Sequence, residues 1–508
     1  MPLSESKIWN LLTVVAGMLS ALAFAPFNVA YFALISLFIL FLSWDRIPPK
    51  KALLRGYLFG LGLFGVGVSW VFISVHDYGG ASKFVSLLIT LVFVGIWAIF
   101  PAFAGYLTCK IIPATFRLER FTIMPIVWIL VEFLRGEYFL NGFPWLQISY
   151  SQLETPLSGF IPVIGGYATG FLASITATTL ILLLKARPFR VTGILIILSI
   201  WILGSLLQER QWTTVIGNPI KVTLVQGNVA QEQKWRPGNR KKIITSYLAM
   251  TYQHWDSDLI IWPETAIPAF LDQVQVDLLK PLAKQAILNN TDVIVSLPFR
   301  APKSKSYNNA VLVLGQHPGM YRKVHLLPFG EYLPFQPLSG YLLDQLNIMP
   351  IGSFTPGDLN QSLLKAAGYR FSTSICYEDV FSKLVIKDLP EAAFLVNVTN
   401  DGWFGKSIEP YQHMQLARMR ALESGRYLLR ATNTGVTGVV APDGKIIDQA
   451  PLFKKTTLTS KIYPMAGLTP YTTMGDFPVI VFLIFLLTSV FLWSRLKSGQ
   501  NVKSQCSM

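Results

Sequence analysis

The sequence predicts a layered α/β domain inserted before the last helix of an all-α, eight-span transmembrane bundle, and three observations predict it. First, the 508 residues are 52% hydrophobic and only 14% charged, a balance that fits a chain part membrane and part globular. Second, apolar runs recur from Ile8 to Leu207 and once more from Phe477 to Trp493, and they approach the roughly 20 residues that cross a hydrocarbon core. Third, the stretch between those regions alternates short β-type runs with helical ones, as a single layered core requires. The chain therefore divides into residues 1–207, seven spans; residues 208–476, an exported globular domain; and residues 477–508, the eighth span and an inner tail.

The spans fall at residues 8–25, 27–44, 57–75, 84–109, 121–134, 160–184, 191–207 and 477–493. Ala21-Leu22-Ala23 has the small residues of a signal-peptide cleavage site, but a second apolar run follows at once, so the first span is expected to remain. Cationic side chains stay on the cytoplasmic side during insertion. Arg46, Lys50, Lys51 and Arg55 lie between spans two and three, and Lys110, Arg117 and Arg120 between four and five. Lys185, Arg187 and Arg190 lie between six and seven, and Arg495, Lys497 and Lys503 after span eight. This alternation puts both termini in the cytoplasm and the globular domain on the far side, the periplasm if the membrane is a bacterial inner membrane. The net charge of +15 is then largely topological, and a nucleic-acid partner loses its main support.

In the exported domain, strands are expected at residues 222–229, 259–262, 293–297, 310–314, 371–375 and 393–398, with helices over 274–288 and 377–388. Residues 428–440 and 445–447 flank Ala441-Pro442-Asp443-Gly444, whose Pro-Asp-Gly is a turn signal. No internal repeat stands out. Of the three cysteines, Cys109 ends span four and Cys506 lies in the inner tail, which leaves Cys376 as the one thiol of the exported domain. It has no disulfide partner there, so it is either a reactive group or a small buried hydrophobe.

Three strand ends carry candidate chemistry. Glu264 follows Leu259-Ile260-Ile261-Trp262-Pro263, so its carboxylate emerges into a partly desolvated place that raises its proton affinity toward that of a base. Cys376 precedes the expected helix, whose amides and dipole favour thiolate and can hold an oxyanion. Lys323, in Tyr321-Arg322-Lys323-Val324-His325, is a compact cation suited to completing that oxyanion site. Each also has a plain structural reading, as a solvated carboxylate, a packed thiol and a surface lysine.

Together the local strings point further. Trp262-Pro263-Glu264, Lys323 with Gly330-Glu331-Tyr332 after it, and Ser374-Ile375-Cys376-Tyr377-Glu378 resemble the Glu, Lys and Cys motifs of the nitrilase (carbon-nitrogen hydrolase) superfamily. Phe143-Pro144-Trp145-Leu146-Gln147 and Asn400-Asp401-Gly402-Trp403-Phe404 are similar to the apolipoprotein N-acyltransferase family, which fuses a nitrilase-like domain to an eight-span membrane body. The resemblance covers nearly the whole chain. It implies a nitrilase-like α-β-β-α sandwich and a ping-pong reaction. Glu264 takes the thiol proton, and Cys376 attacks the acyl ester of a phospholipid, in the family typically phosphatidylethanolamine. The thioester is then passed to the α-amine of the diacylglyceryl-modified N-terminal cysteine of an apolipoprotein, with Lys323 stabilising both tetrahedral intermediates. The resemblance also implies that Glu331 stands near the lysine and base, that Tyr377 and Glu378 shape the site, and that Trp235 and Trp145 contact substrate. No cofactor is implied.

Other residues in the chain admit a functional and a structural reading. Tyr341-Leu342-Leu343 with Ile348-Met349 offers either a lipid-dipping lid, with Leu343 as a substrate contact, or a core-facing segment. Glu132 is an intramembrane carboxylate three residues before Arg135, and a structural ion pair is the simpler reading. His325 suggests a Cys-His dyad, which the family position of Glu264 argues against. A metal is not expected, since histidine is scarce and no Cys or His cluster has ligand spacing. Two rival functions use the same architecture. A membrane-anchored nitrilase-type amidase would release its product to water, and a transporter would need buried charges or broken-helix pairs that the spans lack.

Overall fold

The computed structural model describes residues 3–112, 117–301, 306–345 and 354–505. They form two compact units. One comprises Met1–Ser69, Leu87–Arg210 and Met474–Met508, and the other Trp70–Ser86 and Gln211–Thr473.

In the first unit a helix stands at each apolar run: Leu3–Ala21, Tyr31–Ser43, Pro49–Gly67, Lys83–Ile111, Arg117–Glu137, Ile161–Lys185, Arg190–Gln208 and Phe477–Gln505. Among the described residues four stretches are long and apolar enough to cross a membrane, Lys83–Ile111, Pro156–Lys185, Arg187–Gln208 and Phe477–Leu496. A fifth is added if the broken pair Pro49–Gly67 and Val71–Tyr78 counts as one span. Tyr31–Ser43 is apolar but has only 13 residues, and Arg117–Glu137 carries Glu119, Arg120, Glu132 and Arg135. The run expected to be continuous over 57–75 breaks after Gly67 and re-forms as Val71–Ile73 and the turn Ser74–Tyr78, which belong to the second unit.

Packing inside the first unit relies on small residues, as helix contacts do where burial from water is not the driving force. A Cβ at Gly17 would strike the Phe59 carbonyl, and one at Gly62 the Val14 carbonyl. Buried arginines cap chain ends: Arg120 donates to the carbonyls of Ile112, Trp44 and Ile47, and Arg55 to that of Ser43. Glu132 lies 3.8 Å from Arg135, accepts from the Ile148 amide at 3.0 Å, and Arg135 donates to the carbonyls of Phe143 and Trp145 at 2.8 and 2.7 Å. The pair thus pins the connection that carries Trp145, in keeping with its structural reading.

The second unit holds β1 (Thr214–Val215), β2 (Ile220–Gln226), β3 (Leu259–Ile261), β4 (Asp292–Phe299), β5 (Asn308–Leu314), β6 (Gly319–Arg322) and β7 (Leu364–Ala366). It continues with β8 (Tyr369–Ile375), β9 (Leu395–Thr399), β10 (Leu428–Thr432), β11 (Gly438–Val440), β12 (Ile446–Gln449), β13 (Thr456–Ile462) and β14 (Met465–Ala466). One six-stranded sheet runs β13-β2-β3-β4-β5-β6 and the other β12-β11-β10-β9-β8-β7, while β1 and β14 form a separate pair. Along β13 to β6 the pairings are antiparallel, parallel, parallel, antiparallel, antiparallel. Along β7 to β12 they repeat that order. The domain is therefore a topological duplication, which divergent side chains had hidden in the sequence.

Alternation along the strands builds four layers. Val222, Leu224, Leu259, Ile261 and Ile294 of one sheet meet Phe371, Ile375, Val396, Val398 and Leu429 of the other in one core. The opposite face of the first sheet, Val225, Ile260, Val293 and Val295, packs on helices through Ile243, Tyr247, Leu282 and Ala286. Leu395, Leu428 and Val440 of the second sheet pack on Met414, Ala417 and Ala421, all from the helix Glu409–Ser424. The expected α-β-β-α sandwich is present, with some corrections. Residues 428–440 split into β10 and β11 around a turn in which the Thr432 amide donates to Thr437 Oγ1 at 3.1 Å. Residues 274–288 begin with a wide turn, Gln275–Leu279, before the helix Lys280–Leu288. Strands β6, β7 and β13 lacked a sequence signal because they are short or, in β13, rich in threonine and half-exposed.

Candidate active site

Cys376 stands at the end of β8, in a left-handed conformation with φ of 50°. A side chain there is strained, a condition met where surrounding structure fixes the backbone for function. The helix expected over 377–388 is instead a 3₁₀ turn, Cys376–Val380, followed by the short helix Ser382–Ile386. So short a turn carries little dipole, and the physical reason for its shape is Glu378. Its buried carboxylate accepts from the Ile375 amide at 2.8 Å, from Tyr321 Oη at 3.0 Å, and from the amides of Val324 and His325 at 2.6 and 3.0 Å. One carboxylate thus ties the cysteine turn to the segment that carries Lys323.

Lys323 follows β6, its amide donating to the Asn309 carbonyl at 2.8 Å. Its Nζ, almost fully buried, donates to Glu331 Oε1 at 2.9 Å, and Glu331 Oε2 accepts from the Leu327 amide at 2.8 Å. Glu264 leaves β3 through a second strained position, Thr265, with φ of 48°. That turn is held by Ser296 Oγ, which accepts from the Thr265 amide at 3.0 Å, by Lys234 Nζ at 3.2 Å from the Glu264 carbonyl, and by Asn309 Nδ2, which donates to Glu264 Oε1 at 2.5 Å.

The fold brings the three together closely enough for each charge to act on the other two. Burial pushes the Glu264 carboxyl up, against the pull of Lys323 and with the Glu331 charge adding to the rise. Desolvation of the sulfur pushes the Cys376 thiol well up and Glu264 adds to it, with Lys323 opposing. Burial works against the Lys323 charge, but Glu331, Cys376 and Glu264 outweigh it and hold the ammonium protonated. The resting site is therefore a thiol, not the dipole-stabilised thiolate expected from a following helix. A carboxylate of raised basicity and a fixed ammonium stand beside it.

A buried network behind the cysteine had no signature in residue spacing. His413 Nε2 faces Asp379 Oδ1 at 3.0 Å and its Nδ1 faces Asp401 Oδ1 at 2.9 Å. Arg430 Nη1 donates to Asp379 Oδ2 at 2.6 Å and to Asn397 Oδ1 at 2.7 Å. Asn397 Nδ2 in turn donates to the Cys376 carbonyl at 3.3 Å. Burial and Arg430 push His413 down, but Asp379 and Asp401 overcome them and bring it to about 10. Asp401, Glu409 and His413 place ligand-type atoms within 4.8 Å of one another. Both histidine nitrogens nevertheless face carboxylates already, and the Arg430 guanidinium lies among the same oxygens, so the donor set fits an internally neutralised network better than a cation. Only Asp379, three residues after the cysteine, and Asp401, in the Asn-Asp-Gly-Trp-Phe string, lay close to motifs that sequence reading could have extended.

Tyr377 is buried and packs on Phe381, with ring centroids 5.3 Å apart. His325 packs on Phe381, with ring centroids 3.9 Å apart. Trp235 is exposed, and Leu343 is half-buried on the helix Leu338–Gln345 beside the exposed Tyr341. Ile348 and Met349 lie outside the described residues. Trp145 lies in the first unit, where it is buried and stacked on Phe143 at 5.9 Å. The segment whose place the sequence did not reveal is Trp70–Ser86, expected as the end of span three, a connection over 76–83 and the start of span four. Trp70 packs on Phe404 at 4.8 Å and donates to Gln412 Oε1 at 3.1 Å, and Tyr78 packs on Trp403 at 6.0 Å.

Paired sheets with a buried carboxylate, a buried ammonium and a half-buried thiol at their strand ends define an enzyme of the carbon-nitrogen hydrolase class, here joined to apolar helices. The carbon-nitrogen hydrolase family model matches residues 221–471, and that of the apolipoprotein N-acyltransferase N-terminal domain matches residues 16–179. An apolipoprotein N-acyltransferase of Methylococcus capsulatus is 48% identical over 475 residues, covering 92% of this chain and 93% of its own. Those of Nitrosomonas europaea and Pseudomonas aeruginosa are 39% and 38% identical, covering 93% and 98% of this chain and 94% and 97% of their own. The chain belongs to the apolipoprotein N-acyltransferase family.

Proposed function

We propose that this chain transfers a fatty acyl group from a phospholipid to the N-terminal amine of diacylglyceryl-cysteine in apolipoproteins, with Cys376, Glu264 and Lys323 as its catalytic residues. Glu264 takes the Sγ proton as the sulfur attacks the ester carbonyl carbon. The carbonyl electrons move onto oxygen, where Lys323 faces the charge. Collapse breaks the ester C–O bond, and the lysophospholipid alkoxide recovers the proton from Glu264. The acceptor amine then attacks the thioester carbon, Glu264 takes the amine proton, and as the C–S bond breaks Glu264 returns that proton to the departing sulfur, which restores both the thiol and the carboxylate. A raised carboxyl suits both halves, because it must accept and return a proton near neutral pH.

The observation that carries this reading is that Glu264 and Lys323, both buried, act on the Cys376 sulfur with opposite sign, Glu264 raising its proton affinity and Lys323 lowering it. Glu331 acts by fixing Lys323, Glu378 by joining the lysine and cysteine segments, and Tyr377 by packing the turn. Trp235, Leu343 and Trp145 are substrate contacts in this reading, and phosphatidylethanolamine is the donor. The Lys and Arg distribution supports a bacterial inner-membrane location with eight spans, both termini in the cytoplasm and the catalytic domain in the periplasm.

The test is intact-mass measurement of the full chain in detergent, first with phospholipid and then with a diacylated lipopeptide carrying a free amine. A gain of one acyl group located on Cys376, followed by its transfer to the amine, is the expected result. Release of free fatty acid without transfer would replace acyltransfer with the amidase-type reading.

A further inference from the structure

Glu264 faces two ammonium groups, and only one of them is committed elsewhere. Lys323 is paired with Glu331 at 2.9 Å. Lys234 is 3% exposed, and its Nζ lies 3.2 Å from the Glu264 carbonyl oxygen. Among the described residues it forms no ion pair with any carboxylate, and Glu264 is the charge that acts on it. A buried ammonium is costly to desolvate, and one placed without a paired anion spends its field on whatever lies nearest.

Its position is fixed by structure. Lys234 ends the short turn Gln231–Lys234. Gln231 Oε1 accepts from Asn400 Nδ2 at 2.9 Å, Asn400 Oδ1 from Asn433 Nδ2 at 3.2 Å, and Asn433 Oδ1 from the Val229 amide at 2.9 Å. This chain of amides holds the base of the lysine, while its head grips the carbonyl of the strained Glu264–Thr265 turn.

We infer that Lys234 is a positioning residue for the general base: it holds the Glu264 turn and supplies an uncommitted positive charge that keeps the Glu264 carboxylate ionised between proton transfers. The groups that face Glu264 are Lys323, Glu331, Lys234, Asn309 and the Cys376 sulfur. Lys323 and Lys234 favour the ionised form, Asn309 helps by hydrogen bonding, and burial and Glu331 oppose it. Burial lowers Lys234 itself to about 8, which leaves it charged throughout the acid side of that value. Without Lys234 the two cations become one, already neutralised by Glu331, and Glu264 should hold its proton to higher pH.

This inference rests on Glu264 as the base, and the experiment separates the two claims. Single-turnover acylation of Cys376 by phosphatidylethanolamine is followed by intact mass as a function of pH in the wild type, Lys234→Gln, Lys234→Arg and Glu264→Gln. Lys234→Gln keeps a donor for the carbonyl but not the charge, and Lys234→Met is a second neutral variant should the amide disturb folding. The expected result is an acid limb displaced upward by about one pH unit in the neutral variants, about tenfold slower acylation below it, and a wild-type midpoint in Lys234→Arg. An unmoved midpoint in the neutral variants overturns the inference, even if the plateau falls. So does a midpoint displaced equally by arginine. If Glu264→Gln keeps the wild-type limb, the base assignment itself fails; if it abolishes the limb while Lys234→Gln does not move it, only the role of Lys234 fails.

Discussion

The desolvated sulfur sets the first expectation at the scale of single residues. Because the Cys376 thiol is pushed well above its ordinary value of 9.0, iodoacetamide labelling without lipid should be slow at neutral pH and still rising beyond pH 9. A thiolate stabilised by a helix dipole would label fully below that. Cys376→Ala should give no acyl-enzyme by intact mass. Glu264→Gln should slow acylation by roughly 10²–10⁴-fold, the usual worth of a positioned base, and Lys323→Ala by roughly 10²–10³-fold, as for an oxyanion donor. Since the raised Glu264 must be deprotonated to act, activity should fall with acid from a midpoint above the ordinary 4.5. These three side chains were legible in the sequence because each lies in a recognisable local string. Lys234 was visible only as a neighbour of Trp235, since nothing in Gln233-Lys234-Trp235 says that its head turns inward to a carbonyl thirty positions away.

At the scale of elements, the 3₁₀ turn after β8 and the helix Glu409–Ser424 behind it depend on buried charge. His413→Ala should cost roughly 3–5 kcal/mol of stability, because it leaves Asp379 and Asp401 short of a partner; denaturant unfolding of the full chain in detergent measures it. The sign of the pH dependence follows from linkage. His413 is raised from 6.5 to about 10, so its contribution is complete below pH 6.5 and is lost as pH rises through about 10. The difference between wild type and variant should shrink over that interval, and a constant difference would show that the imidazole charge is not what stabilises. The helix Leu338–Gln345, with Tyr341 exposed and Leu343 half-buried, suits a lipid-dipping lid. A cysteine at Leu343 should lose accessibility to a thiol reagent when liposomes are added, and equal protection without lipid would make the helix ordinary packing.

For the whole molecule, the charge pattern makes a claim about insertion. A reporter joined after Arg190 should read as cytoplasmic and one within residues 208–476 as periplasmic; the reverse pattern would invalidate the orientation. The sequence alone determined the division into apolar helices and a layered domain, most of the alternating strands, and the carboxylate, lysine and cysteine proposed as catalytic. Those features reside in composition, in period and in contiguous strings, all local properties of the chain. Tertiary structure decided what depends on residues far apart: the duplicated sheet order, the Glu378 tie between Tyr321 and Ile375, the His413 network, the break after Gly67 and the second ammonium at Glu264. A carboxylate or an ammonium has no periodicity to betray its partner, and its energy is set by desolvation and by charges that only folding brings within reach.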